Sequence, residues 1–214
     1  MKKIMFNDRY RLTQTVIEGR KTMTRRIELS PNIGYIARHW NPIFNPQHCY
    51  FEDDRGMCQL INADTGKLFI PKYKVGDVVA VAQSYKSIAD THPDVDTFMA
   101  EIANAHGCDI ENVQFLAGWK NKMFVKAKLM PHRIRITGVR CERLQDISDG
   151  DCLREGVQYI EEIEMYYLER TYREEGFYFD SPREAFASLI DKVSGKGTWD
   201  SNPWVFVYEF ELVK

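Results

Sequence analysis

Val205-Phe-Val-Tyr-Glu-Phe-Glu-Leu-Val213, led in by Asn202-Pro203-Trp204, is dominated by aromatic and aliphatic residues. Such a run favours extended backbone, and its length predicts a strand in the middle of a sheet. Working outward, residues 133–144 form a second long strand with Ile134, Ile136 and Val139 as its apolar positions and a bulge or bend near Gly138. Asp77-Val-Val-Ala-Val-Ala82 is a short unbroken apolar run of buried-strand type. Residues 123–129 read as another strand, and 49–51 with 57–61 as a small hairpin across Asp53, Asp54, Arg55 and Gly56, followed by a strand at 67–70. The predicted fold class is α+β: one domain over 1–214 built around a small β-barrel with flanking helices, not a doubly wound sheet.

The helices are few and do not alternate with the strands. A first amphipathic helix has Asn7 or Asp8 as N-cap, Leu12, Val16 and Ile17 at helical spacing, and Gly19 as its left-handed terminator. Residues 94–105 place Phe98 and Ile102 four apart. A compact helix at 149–155 has Ser148 as N-cap, Asp149 and Asp151 in its first turn and Gly156 as terminator, which leaves Glu155 at its C-terminal end. Ser181-Pro-Arg-Glu184 is a capping box opening a helix whose stripe is Phe186, Leu189, Ile190 and Val193. The middle of 157–179 is predicted helical. Three segments, about 28–74, 87–120 and 157–180, read as insertions.

With 44% hydrophobic residues among 214, the chain can bury a sizeable core. No apolar run suits a signal peptide or approaches a membrane span, so a cytoplasmic protein without a membrane partner is expected. Five cysteines, at 49, 58, 108, 141 and 152, contain no C-x-x-C pair, and free thiols are the expectation. There is no Gly-rich phosphate loop, P-loop or H-E-x-x-H, so neither a nucleotide cofactor nor a metal is called for. His132 reads as a turn or hydrogen-bonding histidine, and Trp199 and Trp204 as packing residues. Net charge is −2, but the signs are segregated. Lys120, Lys122, Lys126, Lys128, Arg133, Arg135, Arg140 and Arg143 meet only Glu142 in opposition, and acids dominate from 146 to 184.

The chemistry concentrates in Gly19-Arg-Lys-Thr-Met-Thr-Arg-Arg26, just beyond the first helix. In a strand, Thr22, Thr24 and Arg26 share one face while Lys21 lies at its entrance, so lysine, threonine and arginine converge. With the helix before it, as 7–26, and together with stretches at 75–85, 123–156 and 203–213, this segment resembles the ASCH domain, a branch of the PUA-like superfamily. That family has a small β-barrel with flanking helices and the signature G-x-K-x-x-E-x-R. Gly19, Lys21 and Arg26 fit the signature, while Thr24 replaces its acid. The departure is similar to the G-R-K-T-x-T-x-R run of bacterial N4-acetylcytidine amidohydrolases in the same family. The resemblance implies a catalytic set of Lys21, Thr24 and Glu155, with Gly19, Arg25 and Arg26 binding substrate; a shifted alignment of the helix brings in Asp151 instead of Glu155.

These residue types suit amide hydrolysis. A threonine hydroxyl attacks a carbonyl once a base takes its proton, and a lysine serves if burial and neighbouring cations such as Arg25 or Arg26 lower its pKa. A carboxyl at a helix C-terminus suits donation to a leaving amine. The expected substrate is an N4-acylated cytosine nucleoside, free or within RNA; in a variant, Thr24 only positions the attacking water. Other readings compete. One is a non-catalytic ASCH module holding RNA or a nucleotide through the cations of 120–143 with Lys21, Arg25 and Arg26. Another is a protein-interaction role with the tyrosine-rich acidic stretch 157–179 or the 31–70 insertion as the contact surface. A last one takes Lys21 and Arg26 as surface cations, Thr24 as an ordinary strand residue and Glu155 as an exposed helix-end acid.

Overall fold

The computed structural model describes residues 1–27, 51–52, 58–61, 68–69, 71–169 and 177–213, those between 51 and 69 by backbone alone. Its strands are β1 (Lys3–Ile4), β2 (Met23–Arg26), β3 (Phe51–Glu52), β4 (Cys58–Ile61), β5 (Leu68–Phe69), β6 (Val78–Val81), β7 (Arg133–Arg143), β8 (Gln158–Ile160), β9 (Met165–Leu168), β10 (Phe177–Phe179) and β11 (Trp204–Val213). Its α-helices are α1 (Leu12–Ile17), α2 (Tyr85–Ala89), α3 (Val95–His106), α4 (Asp149–Arg154), α5 (Pro182–Ser194) and α6 (Thr198–Ser201). The protein is thus a mixed assembly of sheets and helices, and among the described residues no helix is long and apolar enough to cross a membrane.

The main sheet has the order β1-β6-β7-β11-β2. β11 holds an interior place as its sequence predicts, pairing antiparallel with β7 from Trp204–Arg143 to Val213–Arg133 and with β2 from Phe206–Arg26 to Glu209–Met23. The expected irregularity is present: Glu209 faces Gly138 but Phe210 faces Ile136, so Thr137 is the extra residue of a bulge. The sheet's two edges are β1 and β2, and among the described residues no backbone ladder closes it. A side chain spans the gap, with Arg26 Nη2 donating to the Met5 carbonyl at 2.5 Å.

β6 explains the unbroken apolar run at 78–82. Val79 and Val81 point into the main core, with Ile134, Ile136, Phe206 and Tyr208, while Ala80 and Ala82 point into a second cluster with Tyr85, Phe98, Ile102 and Val113. A strand buried on both faces has no polar positions to alternate. The second cluster is built largely from 85–130, overlapping the segment read as an insertion at 87–120.

Two elements depart from the sequence-based expectation. Residues 123–129 are not a strand but two 3₁₀ turns, Lys122–Phe124 and Ala127–Leu129; the Asn121 side chain accepts from the Met123 amide, and only Val125 of the first turn's surroundings is buried. The described part of 157–179 is not helical: β8, β9 and β10 form a second antiparallel sheet, with Glu164 in a left-handed turn at φ 52° between β8 and β9, while 170–176 lie outside the described residues. A smaller shift occurs near the start, where Asn7 caps a 3₁₀ turn over Asp8–Tyr10 and α1 begins only at Leu12. In the third sheet, β4 pairs with β3 and β5; the turn at 53–56 and positions 49, 50, 57, 67 and 70 lie outside the described residues. Trp199 packs edge-on to Phe186, and Trp204 stacks on Arg143, as packing residues should.

Candidate functional site

Backbone bonds bring the ends of α1 and α4 together beside β2. α1 ends at Gly19, whose φ of 76° lies where glycine has no Cβ penalty. The amides of Arg20 and Lys21 then both return to the Thr15 carbonyl, at 2.9 and 3.0 Å. Next, the Thr22 amide donates to Arg154 O at 3.0 Å, and Thr22 O accepts from the Phe210 amide at 2.9 Å. α4 opens as predicted, with the Ser148 hydroxyl accepting from the Asp151 amide, and terminates through Glu155 into Gly156 at φ 109°.

A cavity of about 540 Å³ lies against this junction. Lys21, Thr24, Arg25, Arg26 and Glu155 are among its polar lining residues, and Leu12 with Phe186, Leu189, Ile190 and Val193 of α5 are among its apolar ones. Lys21 is 2% exposed, Thr24 5%, Arg25 5% and Glu155 4%, which overturns the reading of Lys21 as a surface cation and of Glu155 as an exposed acid, while Arg26 is half-buried. Lys21 Nζ donates to Glu155 Oε2 at 2.6 Å and to the Glu155 carbonyl at 2.6 Å, so one ammonium pairs with the carboxylate and caps the end of α4. Arg25 Nη1 donates to the other carboxylate oxygen, Oε1, at 3.2 Å. Lys21 Nζ and the Arg26 guanidinium lie 5.9 and 5.4 Å from the Phe6 ring centroid. The Thr24 side chain makes no hydrogen bond to a described residue.

Burial pushes the Lys21 amine below its ordinary value; Glu155 opposes this, and Arg26 and Arg25 add to the lowering. Burial and the neighbouring cations thus act on the amine in the direction that a lysine base requires. Cys152, three residues from Glu155, is no rival nucleophile: burial pushes its thiol up to about 12.

Comparisons with protein-family models, curated proteins and solved structures gave no match.

Behind the cavity stands an ion network spanning four elements. Arg25 Nε and Nη2 donate to Glu142 Oε1 at 2.9 and 2.5 Å, and Nη2 also reaches Asp151 Oδ2 at 3.1 Å. Arg140 donates to Glu142 Oε2 and Asp151 Oδ2, both at 2.8 Å, and pairs with Glu209. Arg154 joins Asp151 to Glu209 at 3.4 and 3.3 Å. With Lys21 and Glu155 the network holds four cations (Lys21, Arg25, Arg140, Arg154) and four carboxylates (Glu142, Asp151, Glu155, Glu209). Desolvated charges persist only when so compensated.

This geometry sorts the predicted residues. Lys21, Thr24 and Glu155 share one cavity. Asp151, the shifted-alignment alternative, is spent on Arg25, Arg140 and Arg154 and does not line it. Gly19, expected to bind substrate, is exposed and outside the cavity; its role is to end α1. Arg25 reaches the cavity but is held by three carboxylates, which suits positioning better than substrate binding. Thr22 does not join Thr24, since its hydroxyl accepts from Arg154 Nε. The cation run of 120–143 forms no single basic face: Lys122 Nζ bonds Asp8 and Phe6 O, Lys126 bonds Ala105 O, Arg140 enters the network, and Arg143 covers Trp204. Sequence reasoning missed Glu142 and the α5 wall as parts of the site. The available signals were the single acid inside the cation run and the apolar stripe of 186–193.

Proposed function

We propose that the protein is an amidohydrolase removing the acyl group from N4-acylated cytosine nucleosides. The observation that carries this reading is the convergence of Lys21, Thr24 and Glu155 on one cavity, with a 2.6 Å contact between the lysine and the carboxylate. The apolar wall from α5 offers the acyl group a surface opposite the polar residues. The reading includes a PUA-like barrel; the side-chain bridge from Arg26 to Met5 across the sheet's edges supports that closure.

In the proposed reaction, the Thr24 oxygen bonds to the acyl carbon while neutral Lys21 takes its proton. The proton passes along the Lys21–Glu155 contact and is delivered to the exocyclic nitrogen as the C–N bond breaks. Water then hydrolyses the acyl-threonine, releasing the acid and restoring the hydroxyl. Arg26 orients the substrate or its developing oxyanion. In the variant without an acyl-enzyme, Thr24 positions the attacking water. The test is release of cytidine from N4-acetylcytidine by purified protein beside Lys21→Ala, Thr24→Ala and Glu155→Gln. Turnover by the wild type and its loss in the variants is expected; full activity in any variant removes that residue from the mechanism.

A further inference from the structure

The Lys21–Glu155 contact depends on where Glu155 is held, and the hold comes from Arg25. Its guanidinium is a fork: Nη1 goes forward to Glu155 Oε1 at 3.2 Å, while Nε and Nη2 go back to Glu142 Oε1 at 2.9 and 2.5 Å. The second oxygen of Glu142 accepts from Arg140 Nε at 2.8 Å, so the carboxylate is fixed from two sides. Sheet register sets this alignment: Arg25, Val207 and Arg140 occupy one row across β2, β11 and β7, and Glu142 faces Val205 one step along the same face. The Phe186 ring lies 5.9 Å from the guanidinium. Glu142 is itself 5% exposed and does not line the cavity, so it acts on the chemistry at one remove, most directly through Arg25, with Arg140 and Asp151 behind it.

We propose that Glu142 is a positioning residue for the site: it anchors the Arg25 fork, and the anchored fork keeps Glu155 directed at Lys21. The inference rests on the hydrolase reading for its kinetic consequences, but not for its electrostatic ones. Among the described residues, the charged groups acting most strongly on Lys21 are Glu155 at the end of α4 and Arg25 and Arg26 on β2. Replacing Glu142 by a neutral residue makes this surrounding one charge more positive and lets Arg25 turn further onto Glu155, in competition with Lys21. Both effects disfavour the lysine cation. Replacing Arg25 by a neutral residue acts in the opposite sense, since it removes a repelling cation and leaves Glu155 to Lys21 alone.

The experiment follows the Lys21 amine through a pH titration by amine-selective ¹H–¹⁵N NMR, its signal assigned by its loss in Lys21→Met. The variants are Glu142→Gln and Arg25→Gln, with folding checked by circular dichroism. The midpoint is expected to fall by about one pH unit in Glu142→Gln and to rise by about one unit in Arg25→Gln. With N4-acetylcytidine, kcat is expected to drop about tenfold or more in both variants with KM held within about twofold. In Glu142→Gln the acid limb of the profile should move down with the Lys21 midpoint. An ion pair that neither positions Glu155 nor acts on Lys21 moves stability but not this midpoint. An unchanged midpoint in a folded variant overturns the inference, and either variant suffices if the other does not fold. Absence of turnover by wild type overturns the hydrolase reading alone, because the midpoints still decide the role of Glu142.

Discussion

Lys21 and Thr24 make different demands on the fold, and their substitutions should separate. The Thr24 hydroxyl forms no hydrogen bond to a described residue, so Thr24→Ala removes little that holds the structure. We expect unfolding free energy to change by less than about 1 kcal/mol, while cytidine release falls by about 10³-fold or more; denaturant titration and kinetics on the same preparation check both. Lys21 is different, because its lowered pKa couples it to stability. The folded-state value lies below the unfolded value, so between the two the unfolded chain binds the extra proton and stability rises with pH. Below that window the contribution is flat. The difference in unfolding free energy between wild type and Lys21→Met should therefore widen as pH climbs towards 10.5, and a pH-independent difference counts against the burial argument. Lys21, Thr24 and Glu155 could be proposed from the sequence because the short stretches that hold them carry the family resemblance. The sequence did not show Glu142 as a partner of Arg25, since the two are 117 residues apart and meet only through the register of β11.

Among the elements, α4 governs the site most directly. Its terminator, Gly156, has φ 109°, and a Cβ there would lie 3.1 Å from Leu12 Cδ2 and 3.7 Å from Lys21 Cδ. Gly156→Ala combines backbone strain with a contact that presses on the lysine stem. It should cost about 1–2 kcal/mol and reduce hydrolysis more than a comparable destabilisation placed elsewhere. Gly118→Ala supplies that comparison: its Cβ would sit 2.7 Å from the buried Tyr85 ring, at a cost of about 1–3 kcal/mol, in the second core. Equal losses of activity in the two variants would show that only global stability matters. Periodicity and capping made α3, α4, α5, β6, β7 and β11 legible. They failed at 123–129, where Met123, Val125, Ala127 and Leu129 alternate like a strand although Asn121 and Lys3 satisfy the backbone locally. They failed again in 157–179, predicted helical in its middle: Glu161, Glu162 and Glu164 belong to the turn between β8 and β9, and the flanking tyrosines, which favour strands, carried the correct signal in the described part.

Across the whole molecule, the distribution of charge separates the enzyme reading from the RNA-binding one. Net charge is −2, and folding disperses the cations that cluster in the sequence between 120 and 143. Lys122, Lys126, Arg140 and Arg143 bond to carboxylates, carbonyls or an aromatic ring. Lys120, Lys128, Arg133 and Arg135 are exposed, but the first two belong to the segment around the second core, the others to β7, and Arg135 lies 3.6 Å from Glu211. The cavity cations are similarly committed, with Lys21 and Arg25 both on Glu155. Each phosphate contact on a single strand contributes about −0.7 to the slope of log K against log salt. A surface engaging no more than three phosphates should therefore give a slope no steeper than about −2. Fluorescence anisotropy with a labelled single-stranded RNA between low and moderate salt measures it. A slope near −4 would require five or six phosphate contacts at once, which the dispersed cations do not supply, and would place RNA binding ahead of nucleoside hydrolysis as the purpose of the fold.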